Sequence, residues 1–380
     1  MSMFSEAAWF FLAVTAALGS IVLCKHKSPG QLGSPVLWLA GLFGGAYLLF
    51  LPFFWSLVLF SLSCLLMCVY SADQELLPVD QKAVLVTGCD SGFGHALVKK
   101  LDKLGFTVFA GVLNEKGPGA EELRRNCSTR ITVLQMDVTS PEQIKDAYSK
   151  VVEKVQDKGL WALVNNAGIL GVTMDGELIP MTEYKKCMEV NFFGPVGVTK
   201  AFLPLLRKSK GRLVNISSMG GGVPMPKMAA YNSTKAALTM FSSILRQELS
   251  KWGVKVSVIQ PGGFQTNITG ISDVWTKKEK DILDQLSQEQ LRDYGQDYLQ
   301  VQKAFLNSME KHSSPDFTPV LRDIQHAISA QIPAPFYYPG TMVSIWVYLA
   351  SIFPTCLSDY CFKKLVAYGE CTPRALRMPN

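Results

Sequence analysis
The stretch from residue 83 to residue 104 limits what this chain can fold into more than any other. Ala83-Val84-Leu85-Val86 is a short, β-branched apolar run and reads as a buried strand. It runs directly into Thr87-Gly88-Cys89-Asp90-Ser91-Gly92-Phe93-Gly94, and then into a helix with apolar positions at Ala96, Leu97, Leu101 and Leu104. Strand, glycine turn and helix in that order form a dinucleotide-binding βα unit. Glycines let the backbone approach a pyrophosphate, and the helix N-terminus supplies N–H donors and the positive end of the dipole. The spacing here is Gly-x-x-x-Gly-x-Gly, not the commoner Gly-x-Gly-x-x-Gly. A tight turn would explain the glycines in isolation; the flanking strand and helix favour a cofactor, with Thr87, Gly88, Ser91, Gly92, Phe93 and Gly94 as its contacts.

Five further strands follow. Phe106-Thr107-Val108-Phe109-Ala110 reads as the second. A ribose-binding acid belongs about twenty residues past the glycines. Val112 stands near that place, and Glu115 is the nearest acid. Neither arginine nor lysine occupies positions 91, 112 or 113, which speaks against a 2′-phosphate and so against NADP. The third strand, 131–138, carries Asp137, which could accept from an adenine amino group or cap the next helix. The fourth, 161–164, ends in Asn165-Asn166-Ala167-Gly168, and the fifth, from Arg212, ends in Ser217-Ser218. The sixth, 254–259, precedes Pro261-Gly262-Gly263-Phe264-Gln265-Thr266. The expected fold is α/β, a Rossmann-type doubly wound parallel sheet with helices on both faces. Ligands in such sheets bind at the carboxyl ends of the strands, so these loops should share one edge.

Tyr231-Asn232-Ser233-Thr234-Lys235 is one helical turn. Residues four apart lie on one face, so the phenol of Tyr231 and the ammonium of Lys235 project together. An ammonium beside a phenol favours phenolate, and a phenol so tuned can take a proton from an alcohol. Asn191 lies in an expected helix, where its side chain competes for backbone bonds, and this suggests a local role.

The hydrophobic fraction of 48% is concentrated at the N-terminus. Residues 7–24 and 36–70 carry no charge, and Lys25-His26-Lys27 lies between them. No Lys or Arg precedes residue 25, which disfavours a cleaved signal peptide, so one or more retained transmembrane helices are expected. The expected organisation is a membrane anchor over 1–72, a linker over 73–81, a catalytic domain over 82–268, and a substrate-covering and C-terminal segment over 269–380. The net charge of +6 is spread out and its basic clusters lack interleaved aromatics, which argues against nucleic-acid binding. Nine cysteines without a Cys-x-x-Cys pair and four scattered histidines argue against a metal site or a disulfide framework.

The ordered set Thr87-Gly88-x-x-x-Gly92-x-Gly94, Asn165-Asn166-Ala167-Gly168, Asn191, Ser218, Tyr231-x-x-x-Lys235 and Pro261-Gly262-x-x-x-Thr266 resembles the short-chain dehydrogenase/reductase family. The resemblance implies Tyr231 as acid/base, Ser218 as the group orienting the substrate oxygen, and Lys235 on the nicotinamide ribose. It implies that Asn191 holds a water of a proton relay and that Pro261, Gly262 and Thr266 face the nicotinamide amide. Outside these motifs, 74–80, 106–115, 202–219 and 374–380 resemble the family's 17β-hydroxysteroid dehydrogenase branch. That implies an endoplasmic-reticulum membrane enzyme oxidising estradiol and testosterone with NAD, with a homodimer as a candidate assembly. Retinol and 11β-hydroxysteroid dehydrogenases carry the same motifs. A non-catalytic nucleotide-binding scaffold is the competing class; the complete Ser218, Tyr231, Lys235 and Asn191 set argues against it.

Overall fold
The computed structural model describes residues 76–269, 284–295, 313–366 and 372–377, with the single residues 62, 282, 297, 298 and 311. The expected anchor, apart from residue 62, lies outside the described residues. Among the described residues no helix is long and apolar enough to cross a membrane. They fall into two units. In the smaller, Leu76 bridges Ala330 and the Leu77 amide donates to Ser329 O at 2.8 Å. The larger comprises Pro78–Ile328 and Phe336–Asn380.

The larger unit is built on a parallel sheet of seven strands: β1 (Ala83–Val86), β2 (Thr107–Val112), β3 (Ile131–Gln135), β4 (Ala162–Asn165), β5 (Arg212–Ile216), β6 (Lys255–Ile259) and β7 (Phe336–Tyr337), in the order β3-β2-β1-β4-β5-β6-β7. This is the Rossmann-type sheet expected. The chain winds outward from β1 to β3, then returns to pair β4 with β1 in register Val84 to Ala162. That reversal opens a crevice between the loops after β1 and β4. β1, β4 and β5 are buried throughout, as apolar strands covered on both faces must be.

Helices α1 (Gly92–Lys103), α2 (Pro118–Asn126), α3 (Pro141–Val155), α4 (Met181–Met188), α5 (Gly194–Ser209) and α6 (Ala229–Glu248) form the crossovers. α3 starts cleanly: Ser140 Oγ accepts from Gln143 N at 3.3 Å and Pro141 takes the first position, where its missing N–H costs nothing. Its buried stripe of Ile144, Ala147, Val151 and Val155 meets Val198, Phe202 and Leu206 of α5 in one core with Leu85, Leu163 and Leu213. A π-helical turn, Glu189–Phe193, joins α4 to α5. α7 (Gln288–Tyr294) opens with a capping box between Ser287 and Gln290. α8 (Thr318–Ser329), α9 (Val343–Ile352) and α10 (Thr355–Val366) complete the described helices. In α9 Val343 and Val347 are buried, whereas Ile352 and the following Phe353 are exposed.

Candidate active site
A cavity of about 1110 Å³ opens at the carboxyl ends of the strands. Gly88, Ser91, Gly92 and Phe93 border it on one side, and Ala167 and Gly168 beside them. Ser218, Tyr231 and Lys235 line it too, with Pro261, Gly262 and Thr266. The topology brings these distant loops together because each follows a neighbouring strand.

The glycine turn is built for close approach. Gly88 and Gly92 adopt φ of +68° and +59°, which side chains rarely tolerate. Ser91 sits at the N-cap of α1 without a side-chain capping bond, and the first turn carries no acid. The N–H groups and positive dipole of α1 are therefore open to an anion in the cavity. Thr87 and Gly94 act from behind. Buried Thr87 Oγ1 accepts from the Asn166 and Ala167 amides at 3.0 and 3.1 Å. Asn166 Nδ2 donates to Thr87 O and Gly88 O at 2.9 and 3.0 Å. Asn166, not Asn165, thus clips the two loops together. Asn165 does not line the cavity. As the last residue of β4 it is buried, with Nδ2 donating to Thr199 Oγ1 and Asn215 Oδ1 at 2.9 and 2.8 Å.

Asp137 lines the cavity just past β3. Its Oδ1 accepts from the Thr139 amide and hydroxyl at 2.9 and 2.8 Å, which leaves the capping of α3 to Ser140. The acid at the end of β2 comes from the glycine turn. Asp90 lines the cavity and accepts from Leu113 N at 2.9 Å and from Asn114 N at 3.2 Å. Glu115, the acid expected there, is outside the lining; its amide donates to Gln135 Oε1 at 2.9 Å. The structure also brings a cation to this edge that linear proximity did not place. Arg124 of α2 donates to Glu115 O at 2.6 Å.

Asn191 is fully buried in the π-helical turn. Its Oδ1 accepts from Ile169 N, and Nδ2 donates to Ile169 O, both at 2.8 Å, and to Thr234 Oγ1 at 3.1 Å. Both amide N–H groups are thereby used. The side chain fixes the main chain after the Asn-Asn-Ala-Gly loop, and Oδ1 keeps a second lone pair that can accept from a water.

Tyr231 and Lys235 project from one face of α6 and are both buried. Ser218 neighbours the Tyr231 phenol in the cavity, and its Oγ accepts from Gly220 N at 3.1 Å. Lys235 Nζ donates to Ile216 O at 2.9 Å and lies 5.6 Å from the Tyr231 ring centroid. The expected lowering of the tyrosine is not found in the protein alone. Burial pushes Tyr231 up to about 12; the neighbouring Ser218 hydroxyl works against this and Cys187 adds to it. Burial also lowers Lys235 to about 8, with Cys187 opposing. Desolvation wins because both charged forms lose water in the same closed site, and the ammonium is spent on a carbonyl.

One part of the cavity wall is apolar, with Ile169, Leu170, Met219, Met225, Met228 and Ile268, while Lys186, Glu189, Gln265, Asn267 and Ser313 also line it. Tyr231 shares a core cluster with Leu170, Val172 and Met228, and against it pack Leu286 and Leu291 from the α7 region. α7 is tied down by Tyr294 Oη donating to Glu177 at 2.7 Å and by Gln290 Nε2 donating to Glu177 O at 3.1 Å.

Residues 82–276 match the family profile described as short chain dehydrogenase. Over 374 residues the chain is 64% identical to estradiol 17-beta-dehydrogenase 2 of Mus musculus, covering 98% of both chains. Over 378 residues it is 62% identical to 17-beta-hydroxysteroid dehydrogenase type 2 of Homo sapiens, covering 99% of this chain and 97% of that one. A crystal structure of a short-chain dehydrogenase from Streptomyces avermitilis matches with a TM-score of 0.59 at 25% identity, over 75% of this chain and 97% of that one. The sheet order, the glycine turn, the Ser218–Tyr231–Lys235 group and these likenesses agree: the chain belongs to the short-chain dehydrogenase family.

Proposed function
We propose that this oxidoreductase oxidises steroid 17β-hydroxyls, estradiol to estrone and testosterone to androstenedione, with NAD as the hydride acceptor. The observation that carries the reading is the pairing of Ser218 and Tyr231 at a cavity with a methionine-rich wall, in a chain 64% identical over nearly its full length to an estradiol 17-beta-dehydrogenase. A lipophilic alcohol suits the methionine-rich wall, and its oxygen suits the Ser218–Tyr231 pair beside it.

The residues fit a dinucleotide. The open N-terminus of α1 and the positive-φ glycines suit a pyrophosphate, Asp137 suits an adenine amino group, and Lys235 suits a ribose hydroxyl. Asp90 supports NAD over NADP, because a 2′-phosphate at the end of β2 would meet its carboxylate. When bound, NAD supplies the hydride acceptor. The protein handles the proton. Ser218 Oγ positions the alcohol oxygen, and Tyr231 as phenolate takes the hydroxyl proton while the carbinol hydrogen leaves as hydride. The Lys235 ammonium favours that phenolate. Asn191, through Ile169, holds the loop beside Lys235, where a methyl on Gly168 would sit 3.4 Å from Lys235 Nζ.

The test is steady-state turnover of the full chain in membranes, with NAD or NADP, on estradiol, testosterone, a corticosteroid and all-trans-retinol. Estradiol and testosterone should be oxidised best and NAD should be the more efficient cofactor. Retinol or the corticosteroid turning over best, with both 17β-steroids near background, would reject the substrate; equal efficiency with NADP would reject the cofactor preference.

We propose further that residues 1–72 anchor the protein in the endoplasmic-reticulum membrane, on the strength of their two long uncharged stretches. The protein should stay with membranes through an alkaline carbonate wash; recovery in the soluble fraction would defeat the anchor.

A further inference from the structure
A second cavity, of about 460 Å³, lies outside the proposed active site. It is lined by His95, Ala96, Lys99, Lys100 and Lys103 of α1, with Gly92 at its end and Phe317 from the segment before α8. His95, Lys99 and Lys103 follow one another at four-residue spacing, so they line a single face of α1. The charge along that face is not balanced. Glu122 of α2 is held by Lys99 at 2.7 Å and by His95 Nε2 at 3.3 Å, while His95 Nδ1 meets Cys89 O at 3.1 Å. Nearby Asp102 is paired with Arg130 at 3.1 Å; Asp323 is paired with Arg322 at 3.2 Å, and both Asp323 and Arg322 act on Lys100 with opposite signs. Among the described residues neither Lys100 nor Lys103 makes an ion pair. Two lysines in a last turn complement the helix dipole. The dipole does not call for a cavity with an aromatic wall between them.

The cavity is amphipathic in a specific sense. Lysine stems, Ala96 and the Phe317 ring offer apolar surface, and the ammonium groups stand at the ends of those stems. It also adjoins the proposed cofactor cavity, with which it shares Gly92. Phe317 meets Phe93 edge-on at 5.0 Å between centroids, and Phe93 meets Phe264 at 5.5 Å. Phe93 and Phe264 both line the larger cavity.

We propose that this cavity is a second ligand site for an anionic amphiphile of lipid type. Its phosphate headgroup lies on Lys100 and Lys103, its alkyl chain lies along Phe317, and its occupancy alters nucleotide affinity through the Phe317–Phe93 contact. The binding half stands without the reading of the larger cavity; the coupling half rests on NAD binding there.

The probe is radiolabelled dodecyl phosphate, titrated into the full-length protein in neutral dodecyl maltoside at low ionic strength, with inorganic phosphate as competitor. One saturable site is expected, weakened at least tenfold in Lys100→Gln/Lys103→Gln and in Phe317→Ala. Inorganic phosphate should compete at least tenfold more weakly than the unlabelled amphiphile. The lysine variant should keep wild-type turnover, which establishes that it is folded. Binding within twofold of wild type in that variant, or uptake that never saturates, overturns the site. Phosphate competing as well as the amphiphile overturns the alkyl half. The Kd for NAD should shift at least twofold with the probe in wild type and not in the lysine variant; an unmoved NAD affinity overturns the coupling and leaves the binding result standing.

Discussion

Tyr231→Phe is expected to lower turnover by about two to four orders of magnitude, the usual loss on removing a general acid/base, while NAD binding stays close to wild type. The substitution deletes only the phenolic oxygen. The ring keeps its place in the cluster with Leu170, Val172 and Met228, so packing is preserved. The elements proposed to hold the nucleotide, the glycine turn and the N-terminus of α1, make no hydrogen bond to the Tyr231 oxygen. What disappears is the proton acceptor and the partner of Ser218. Because burial, the largest cause, pushes Tyr231 up to about 12, the phenolate is scarce in the protein alone, and its formation depends on positive charge close by. Phenylalanine cannot be activated in this way, so raising the pH should not restore the rate. The measurement is kcat/KM for estradiol across pH 7 to 10 beside a fluorescence titration with NAD. A variant keeping more than half of wild-type turnover would remove Tyr231 as the proton acceptor.

The division between what was legible in the sequence and what was not follows interaction range. The β1–turn–α1 unit was readable because strand periodicity, glycine spacing and helix periodicity are all local, and the structure places its elements within a residue or two of expectation. β7 was not readable. It is two residues long, and only its pairing with Val258 and Ile259 makes it a strand. The same limit separates Asn165 from Asn166. Adjacent asparagines at a strand end look equivalent in the chain, yet the pleat turns one into the sheet toward Asn215 and the other toward the glycine turn. A strict count from β4 would have found the difference.

Asp90 was missed for another reason. Along the chain the nearest acid lies past β2, whereas Asp90 reaches the end of β2 from a turn 23 residues earlier. An acid inside the glycine turn was the available signal. The pair Tyr231 and Lys235 was placed correctly on one helix face, but its electrostatics were misjudged. Helix spacing tells which groups are neighbours; it does not tell how much water both have lost, and here burial outweighs proximity.

Gly94→Ala is the other substitution expected to have a large effect, and it acts through packing, not chemistry. A Cβ at residue 94 would stand 2.3 Å from Gly88 O and 2.5 Å from Asn166 Nδ2. Both are about an ångström inside ordinary contact, and neither can move freely. Asn166 Nδ2 is already bonded to Gly88 O at 3.0 Å and to Thr87 O at 2.9 Å, so the methyl enters the clip between the loops after β1 and β4. Overpacking costs about 1–3 kcal/mol, and a buried bond broken in the process about 1–3 kcal/mol more. The first turn of α1 must also draw back from the glycine turn, which displaces the N–H groups proposed to meet the pyrophosphate. NAD affinity should therefore fall at least a hundredfold. Gly92→Ala is the contrast. Its Cβ would meet Thr266 at a comfortable 3.5 Å, and its penalty comes only from a φ of +59°, about 1–2 kcal/mol. Urea unfolding and NAD titration of both variants separate the two effects. If Gly94→Ala keeps NAD affinity within twofold of wild type and unfolds no earlier than Gly92→Ala, the packed clip is not what shapes this site.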